Sequence, residues 1–495
     1  MLDQILKDET LGAGNFIYKL SQYFDTQQPL LHLFAQKSLS VADIIQISDR
    51  LASAYDALGV KPKDVVSLYL QDSFDYFLHF VALNSIGAIP SLINGGLSDD
   101  VLAKFLAIIK PDFLVVNRPT SISYIPVFNL NDIDRHATGE RPPLFEHQPD
   151  DVIMIGHTSG TTGIPKGVIF THESMYYGVK QQIEKQKGEH VLSILPHSHG
   201  ASISVLMSFL LRGTPMTLLS EREPDAIIHA VKKIKPDVVV AFPKVFVDLC
   251  REQFDPEDFE SVSYWIATGD ANHEPHIRKL VSLGHHQKKG QRVVGSCFID
   301  NLGSSEFAFA IFRNIHTPNT NKYQRCIGQA FDWVDVAVFD DEGQKLSANQ
   351  IGRLGVKAKS VTQGYWNNHS LTEKNKLQGY WLTGDLVYFD DQGDFYHVDR
   401  TSDAIMLDGK QVYSCQMEEL ILAHMPEIFE LSIVEHHNQL IAYVELQAEA
   451  SDLLPRMNAH MQQHGYPTFS TLEFQSAHDY TGVTGKKLKR TLRTL

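Results

Sequence analysis

The chain has 495 residues, 44 of them basic and 59 acidic, for a formal charge of -15, and 43% are hydrophobic. That length exceeds a single compact core, and the composition is that of an ordinary globular protein rather than a disordered one. The acidic balance argues against general binding of nucleic acid or of an anionic membrane, so an anionic ligand must be gripped locally.

The opening residues, MLDQILKDETLG, place acids where a secretion signal would carry a basic region and an apolar run, so a cytoplasmic location is expected. Ser40 and Asp43 have capping-box spacing ahead of Ile44, Ile45, Ile47, Leu51, Ala54, Tyr55 and Leu58, with Gly59 as a stop, and predict an amphipathic helix. Short β-rich runs follow at 65–70, 89–93, 113–116, 152–155 and 191–195. Helical patterns at 74–86 and 101–109 separate them, which predicts an α/β fold with layered subdomains and largely parallel strands. The polar, proline-rich segment 134–151 reads as a surface connection inside the large domain. The apolar stretch 191–211 is long enough to span a membrane but contains Pro196, His197, His199 and Gly200, so a strand, a loop and a buried helix are expected there, without membrane insertion. Cys250, Cys297, Cys326 and Cys415 lie far apart with no zinc spacing, as reduced thiols would. Near 399 the pattern changes to strands around Ile405 and Val412, a helix at 416–424, strands at 431–434 and 440–446, a helix at 453–464 and the basic tail TGKKLKRTLRTL. This predicts a large domain over 1–398, a connection at 399–403 and a small α+β domain over 404–495.

The densest chemical signal is HTSGTTGIPKGVIFTH at 157–172. A buried-strand pattern at 152–155 runs into Thr158, Ser159, Gly160, Thr161, Thr162, Gly163, Ile164, Pro165, Lys166 and Gly167. Glycines let backbone N–H groups turn toward a polyanion, hydroxyls add donors, and a lysine adds a point charge. Pro165 before Lys166 and Gly167 after it break the Gly-Lys-Ser/Thr order of a Walker A loop, which disfavours P-loop NTPases. The bland alternative is a flexible connection with no ligand.

TSGTTGIPKG resembles the signature loop of the adenylate-forming superfamily, which includes acyl- and aryl-CoA ligases, luciferases and peptide-synthetase adenylation domains. Other segments agree in order: 300–306 (DNLGSSE), Gly364-Tyr365-Trp366, 381–385 (WLTGD), Asp399-Arg400 with Gly409 and Val412, and Thr484-Gly485-Lys486. The chain looks most like an acyl-CoA ligase. The resemblance implies that a carboxylate attacks the α-phosphate of MgATP, giving an acyl-adenylate and pyrophosphate, and that a thiol then displaces AMP. By position, residues 158–167, among them Thr158–Gly163 and Lys166, would hold the β- and γ-phosphates; Asp300 and Ser305 would belong to the nucleotide site; Glu306 would help bind Mg2+; Asp385 would accept hydrogen bonds from the ribose hydroxyls. Arg400, in the domain-joining segment, would also belong to the nucleotide site, and Lys486, on a mobile small domain, would reach the reacting carboxylate and the α-phosphate.

Bland readings stand beside these roles. Glu306 resembles a solvated strand end, Asp385 an ordinary Gly-Asp turn, and Lys486 one charge of a basic tail. His199, three residues after Pro196, would border the acyl pocket; a hydrogen-bonded core histidine is the equal alternative. No aspartate stands near His199 to pair with a substrate ammonium, which favours an acid without an α-amine. Leu302 replaces the aromatic residue expected against adenine, Arg353 stands where relatives carry glutamate, and Ser402 and Gln416 depart from the hinge and small-domain pattern. The implied cofactors are ATP and Mg2+, and the acceptor is coenzyme A, with a carrier-protein phosphopantetheine as the alternative. A repurposed, non-catalytic ligand-binding protein is the rival from another class.

Overall fold

The computed structural model describes residues 1–158, 164–270, 272–476 and 489–493. The backbone forms two compact units. The first comprises Met1–Ala241, Gly303–Ala310 and Ala358–Lys374, and the second Phe242–Leu302, Ile311–Lys357 and Asn375–Leu495.

In the first unit, a six-stranded sheet runs in the order Val127–Asn129, Phe113–Val116, Val65–Leu70, Ile89–Asn94, Val152–His157, Gly167–Thr171. Its strands are parallel until the last pair, which is antiparallel and sets His157 opposite Gly167. Tyr69, Ile89, Ile93, Phe105, Ile109, Leu114 and Ile155 form one core against the helix Asp99–Ile109. That helix begins two residues before its apolar periodicity does, because Ser98 caps it and Asp99 and Asp100 suit the positive end of its dipole. The helix Val41–Ala57 carries the expected capping box: the Ser40 hydroxyl accepts the Asp43 N–H at 3.1 Å, and Asp43 accepts the Ser40 N–H at 2.7 Å. A second set of strands runs Val238–Ala241, Val191–Ser193, Met216–Leu218, Pro29–Leu33, Ser38–Ser40. The apolar stretch resolves into the strand Val191–Ser193, a turn and the helix Gly200–Leu210. The strand stops before Ile194, because Pro196 and the turn closed by the His199 N–H on the Pro196 carbonyl redirect the chain. Among the described residues no helix is long and apolar enough to cross a membrane.

The runs at 65–70, 89–93, 113–116, 152–155 and 191–195 are largely parallel, as expected, and the second unit adds a different arrangement. Tyr264–Thr268 and Cys297–Gly303 are parallel, but Cys326–Ala330, Phe395–Arg400, Tyr380–Phe389, Gly352–Lys357 and Asp335–Phe339 form an antiparallel series. No crossover helix is needed there, since tight turns such as that at Gly393 (φ +81°) return the chain directly. Beyond 404 lie the helix Ser414–His424, the hairpin Ile428–His436 with Gln439–Leu446, the helix Leu453–Gln463 and the strand Phe469–Phe474. The last pairs parallel with Gln439–Leu446. Sequence reading missed it because its side chains are mostly exposed and the period-2 contrast is weak. Met417, Ile421, Leu431, Ile433, Met457, Met461 and Phe469 make its core.

The short helix Lys489–Leu492 closes this region. Leu492 packs with Val434 and Tyr443, and the buried Lys489 ammonium donates to Glu418 Oε1 at 2.7 Å and to the Ser414 hydroxyl at 2.8 Å. Arg493 donates to the carbonyls of Ser402 and Asp403 at 3.1 and 3.0 Å.

Candidate active site

In the first unit the strands on either side of Thr158–Lys166, Val152–His157 and Gly167–Thr171, pair antiparallel, so a strand and not the helix of a P-loop follows this segment. Its neck is fastened twice: the Thr158 N–H donates to the Lys166 carbonyl at 3.2 Å, and the Lys166 N–H donates to the Thr158 hydroxyl at 3.1 Å. His157 braces the same point, donating from Nδ1 to the Thr158 carbonyl at 2.8 Å and accepting the Asn94 N–H on Nε2 at 3.0 Å. Burial depresses its basicity, which keeps the ring neutral with one donor and one acceptor. Ser159, Gly160, Thr161, Thr162 and Gly163 lie outside the described residues, as does Lys486.

Gly364-Tyr365-Trp366 docks beside that neck. The Trp366 N–H donates to the Gly167 carbonyl at 2.7 Å, and the Ile169 N–H to the Gly364 carbonyl at 3.1 Å. The buried Tyr365 joins two candidates: the Lys166 ammonium lies 5.2 Å from its ring centre, and its hydroxyl donates to Glu306 Oε1 at 2.8 Å. Glu306 sits in the single turn Ser305–Phe307, half-buried, with its carbonyl held by the Thr362 N–H at 2.7 Å. His199 caps the helix Gly200–Leu210, its Nδ1 accepting the Ala201 N–H at 3.1 Å. That structural task occupies one ring nitrogen.

In the second unit Asp385 lies buried inside the strand Tyr380–Phe389, not in an ordinary turn, and pairs in register with Arg400 of Phe395–Arg400. Arg400 Nε approaches Asp385 Oδ1 at 3.1 Å, and His397 Nε2 approaches the same oxygen at 3.2 Å. Residues three apart on a strand normally face opposite ways. Here a register shift between Leu386 and Val387 turns His397 and Arg400 onto one carboxylate. Burial would raise the Asp385 carboxyl, but the Arg400 guanidinium and the His397 N–H hold it well below the usual range. The far ring nitrogen of His397 meets Arg325 Nη2 at 2.8 Å.

Asp300, on the strand Cys297–Gly303, accepts the Asn272 amide at 2.8 Å. Burial pushes its carboxyl up to about 6, against Asn272 and the Arg325 charge. Glu419 completes the neighbourhood, taking the His273 ring N–H at 2.7 Å and the Glu274 N–H at 3.3 Å. The structure thus brings Thr158 and Lys166 together at one neck, Glu306 to Tyr365, and Asp385 to Arg400; Ser305 lies in the turn of Glu306. Sequence reasoning missed Tyr365 as a bridging residue, although its GYW segment stood out. It also missed Arg325, His397 and Asn272, which no local motif signals.

Among the described residues no group of three or more His, Cys, Asp or Glu is arranged to hold a metal ion. Mg2+ takes one or two carboxylates and fills its shell with waters and phosphate oxygens, so the Glu306 carboxylate, partly exposed and oriented by Tyr365, suits it.

Residues 25–366 match the family described as AMP-binding enzyme. The chain is 34% identical to a 3-aminoavenalumate diazotase from a Streptomyces species, over 99% of this chain and 97% of that protein. It is 25% identical to 4-coumarate-CoA ligase 1 of Narcissus pseudonarcissus, over 88% of this chain and 83% of the relative. A crystal structure of an anthranilate CoA ligase in complex with anthranoyl-AMP superposes with a TM-score of 0.85 at 18% identity, covering 98% of this chain and 97% of that one. The family match over residues 25–366 and the 34% identity to a relative along nearly the whole chain establish that the chain belongs to the AMP-binding, adenylate-forming enzymes.

Proposed function

We propose that this protein cleaves ATP at the α-phosphate to activate an oxyanion as its adenylate, and that an aromatic primary amine accepts the activated group, giving a diazonium product. The observation that carries this reading is the full-length similarity to a diazotase at 34%, against 25% over a shorter span for 4-coumarate-CoA ligase 1.

In this reading nitrite is the oxyanion. One nitrite oxygen bonds to the α-phosphorus as the bond to pyrophosphate breaks. The amine nitrogen then attacks the nitrite nitrogen and gives up a proton, the N–O bond to AMP breaks, and AMP leaves with that oxygen. The resulting N-nitroso amine takes up a proton and loses the second oxygen as water, leaving the diazonium. No electron changes hands, and nitrite and ATP are the co-reactants.

Lys166 and the 158–163 segment bind the β- and γ-phosphates and leave the α-phosphate open to attack. Glu306 helps hold Mg2+, which when bound offsets charge on the departing pyrophosphate. Asp385, ionised and buried, accepts the ribose hydroxyls; Arg400 steadies it. Asp300 and Ser305 border the nucleotide, His199 lines the pocket of the activated group, and Lys486 stabilises the reacting oxyanion and α-phosphate from the 404–495 domain, beyond a hinge at 399–403. Free cysteines among the described residues and the use of ATP fit a cytoplasmic enzyme.

The second reading is an acid–thiol ligase that adenylates an aromatic or aliphatic carboxylic acid and passes it to coenzyme A or a carrier-protein thiol. The CoA-ligase relatives favour it. One experiment separates the two. Purified protein with MgATP is given either nitrite plus an amino-hydroxycinnamic or aminobenzoic acid, or the same acids plus CoA, and pyrophosphate is measured in each arm. Diazonium is trapped by azo coupling to a naphthol. Nitrite-dependent pyrophosphate release with coloured product supports the diazotase reading; CoA thioester without nitrite dependence replaces it with the ligase reading.

A further inference from the structure

We propose that His397 is a positioning residue that aims the Asp385 carboxylate, and that Arg325 sets His397 in the one tautomer that does so. This rests on the reading of Asp385 as the acceptor of the ribose hydroxyls.

Arg325 holds His397 from two directions. It sits in a left-handed backbone conformation (φ +66°) just before the strand Cys326–Ala330, and its carbonyl accepts the His397 N–H at 3.0 Å. From the same residue the guanidinium Nη2 reaches His397 Nδ1 at 2.8 Å. A guanidinium has five N–H donors and no lone pair to offer. It therefore only donates, Nδ1 must accept, and the ring proton of His397 resides on Nε2. That nitrogen is the one facing Asp385 Oδ1 at 3.2 Å, so the imidazole donates to the carboxylate.

A protonated His397 would set an N–H against the Arg325 N–H groups, and burial also works against a second ring proton. Burial works against the Arg325 charge, but the nearby carboxylates of Glu419, Asp300 and Asp270 outweigh it. Hydrogen-bond direction is thus imposed along the chain Arg325, His397, Asp385.

The consequence lies in the carboxylate plane. Oδ1 is tied on two sides, by His397 Nε2 and Arg400 Nε, so rotation about the Cβ–Cγ bond is restrained and the direction of Oδ2 is set. A carboxylate aimed in advance discriminates neutral hydroxyls better than one that must reorient on binding. A satisfied core histidine would make the same contacts for stability alone. What distinguishes the positioning role is recognition of the sugar.

The test measures dissociation constants of ATP and 2′-deoxy-ATP by calorimetry on the full-length protein, with thermal unfolding recorded in parallel. The variants are Asp385→Asn, His397→Phe, His397→Gln and Arg325→Met. The unaltered protein is expected to prefer ATP by about tenfold or more, the size of a hydrogen bond to a charged group. Asp385→Asn and His397→Phe should both bring the preference close to parity. His397→Gln, whose amide accepts from Arg325 and donates to Asp385, should restore most of it. Arg325→Met leaves the imidazole in place but frees its tautomer, and should also lower the preference; it carries the test if His397→Phe does not fold. A normal preference in His397→Phe or Arg325→Met, with a lost preference in Asp385→Asn, overturns the positioning role and leaves the ribose reading intact. A normal preference in Asp385→Asn overturns the ribose reading and the inference with it.

Discussion

Glu306 and Asp385 are both carboxylates assigned to the nucleotide, yet the two units hold them in opposite ways. Glu306 sits half-buried on a single turn, oriented by one tyrosine hydroxyl, and the Lys166 ammonium lies 5.2 Å from the centre of that tyrosine's ring. Asp385 is buried mid-strand, with a guanidinium and an imidazole on one oxygen and a second guanidinium behind the imidazole. The proposed roles account for the difference. A residue that meets a cation or phosphate receives its counter-charge from the ligand, so the protein need only bring it near. A residue that meets neutral hydroxyls must already be ionised and aimed, and the protein supplies that in advance.

The contrast implies that a fully enclosed charge such as Lys489 bears chiefly on stability, and the half-buried Glu306 chiefly on rate. The largest effect is expected at Lys489, the most enclosed cation described. Lys489→Met strands Glu418 in the interior and should cost about 3–5 kcal/mol in urea unfolding; a loss comparable to a surface change would break the contrast at its strongest point. Next, Glu306→Gln should lower pyrophosphate release by about 100- to 1,000-fold. Its unfolding free energy should stay within about 0.5 kcal/mol of the unaltered protein. A stability loss as large as that of Lys489→Met would erase the distinction. Tyr365→Phe keeps the ring beside Lys166 and removes the hydroxyl from Glu306, and should reduce the same rate by about tenfold or less.

The smallest effect concerns Asp300. Its carboxyl is raised from 3.8 to about 6, so the folded state holds this proton more tightly than the unfolded chain does. Stability from this group is therefore present in acid and is lost as pH rises from 3.8 through about 6. Asp300→Asn, which cannot ionise, should gain on the unaltered protein over that interval by about 1 kcal/mol or less, since the residue is partly exposed. Denaturation midpoints at the two ends of the interval check it.

Features that depend on neighbours in the chain were legible in the sequence. The capping box of Val41–Ala57, the interrupted apolar stretch at 191–211 and the Thr158–Lys166 segment all rest on spacings of a few residues. The family landmarks were legible for the same reason. The Arg325–His397 contact was not, because it joins residues 72 apart through a left-handed turn and a strand irregularity that no local pattern announces. Tyr365 was visible as part of GYW, but its role as a bridge requires Glu306, 59 residues earlier, and Lys166 to meet it. The antiparallel series of the second unit was missed where buried and exposed positions alternate poorly.

The contact between Lys489 and Ser414 spans 75 residues of chain, and that distance bears on the order of events during synthesis. A ribosome delivers Ser414 and Glu418 long before it delivers residue 489, so the helix Ser414–His424 must emerge with an acid whose cation does not yet exist. Until then a buried Glu418 would lack its counter-charge. Completion of the region therefore waits on the arrival of Lys489, which makes this lysine a late-closing clasp rather than a nucleus.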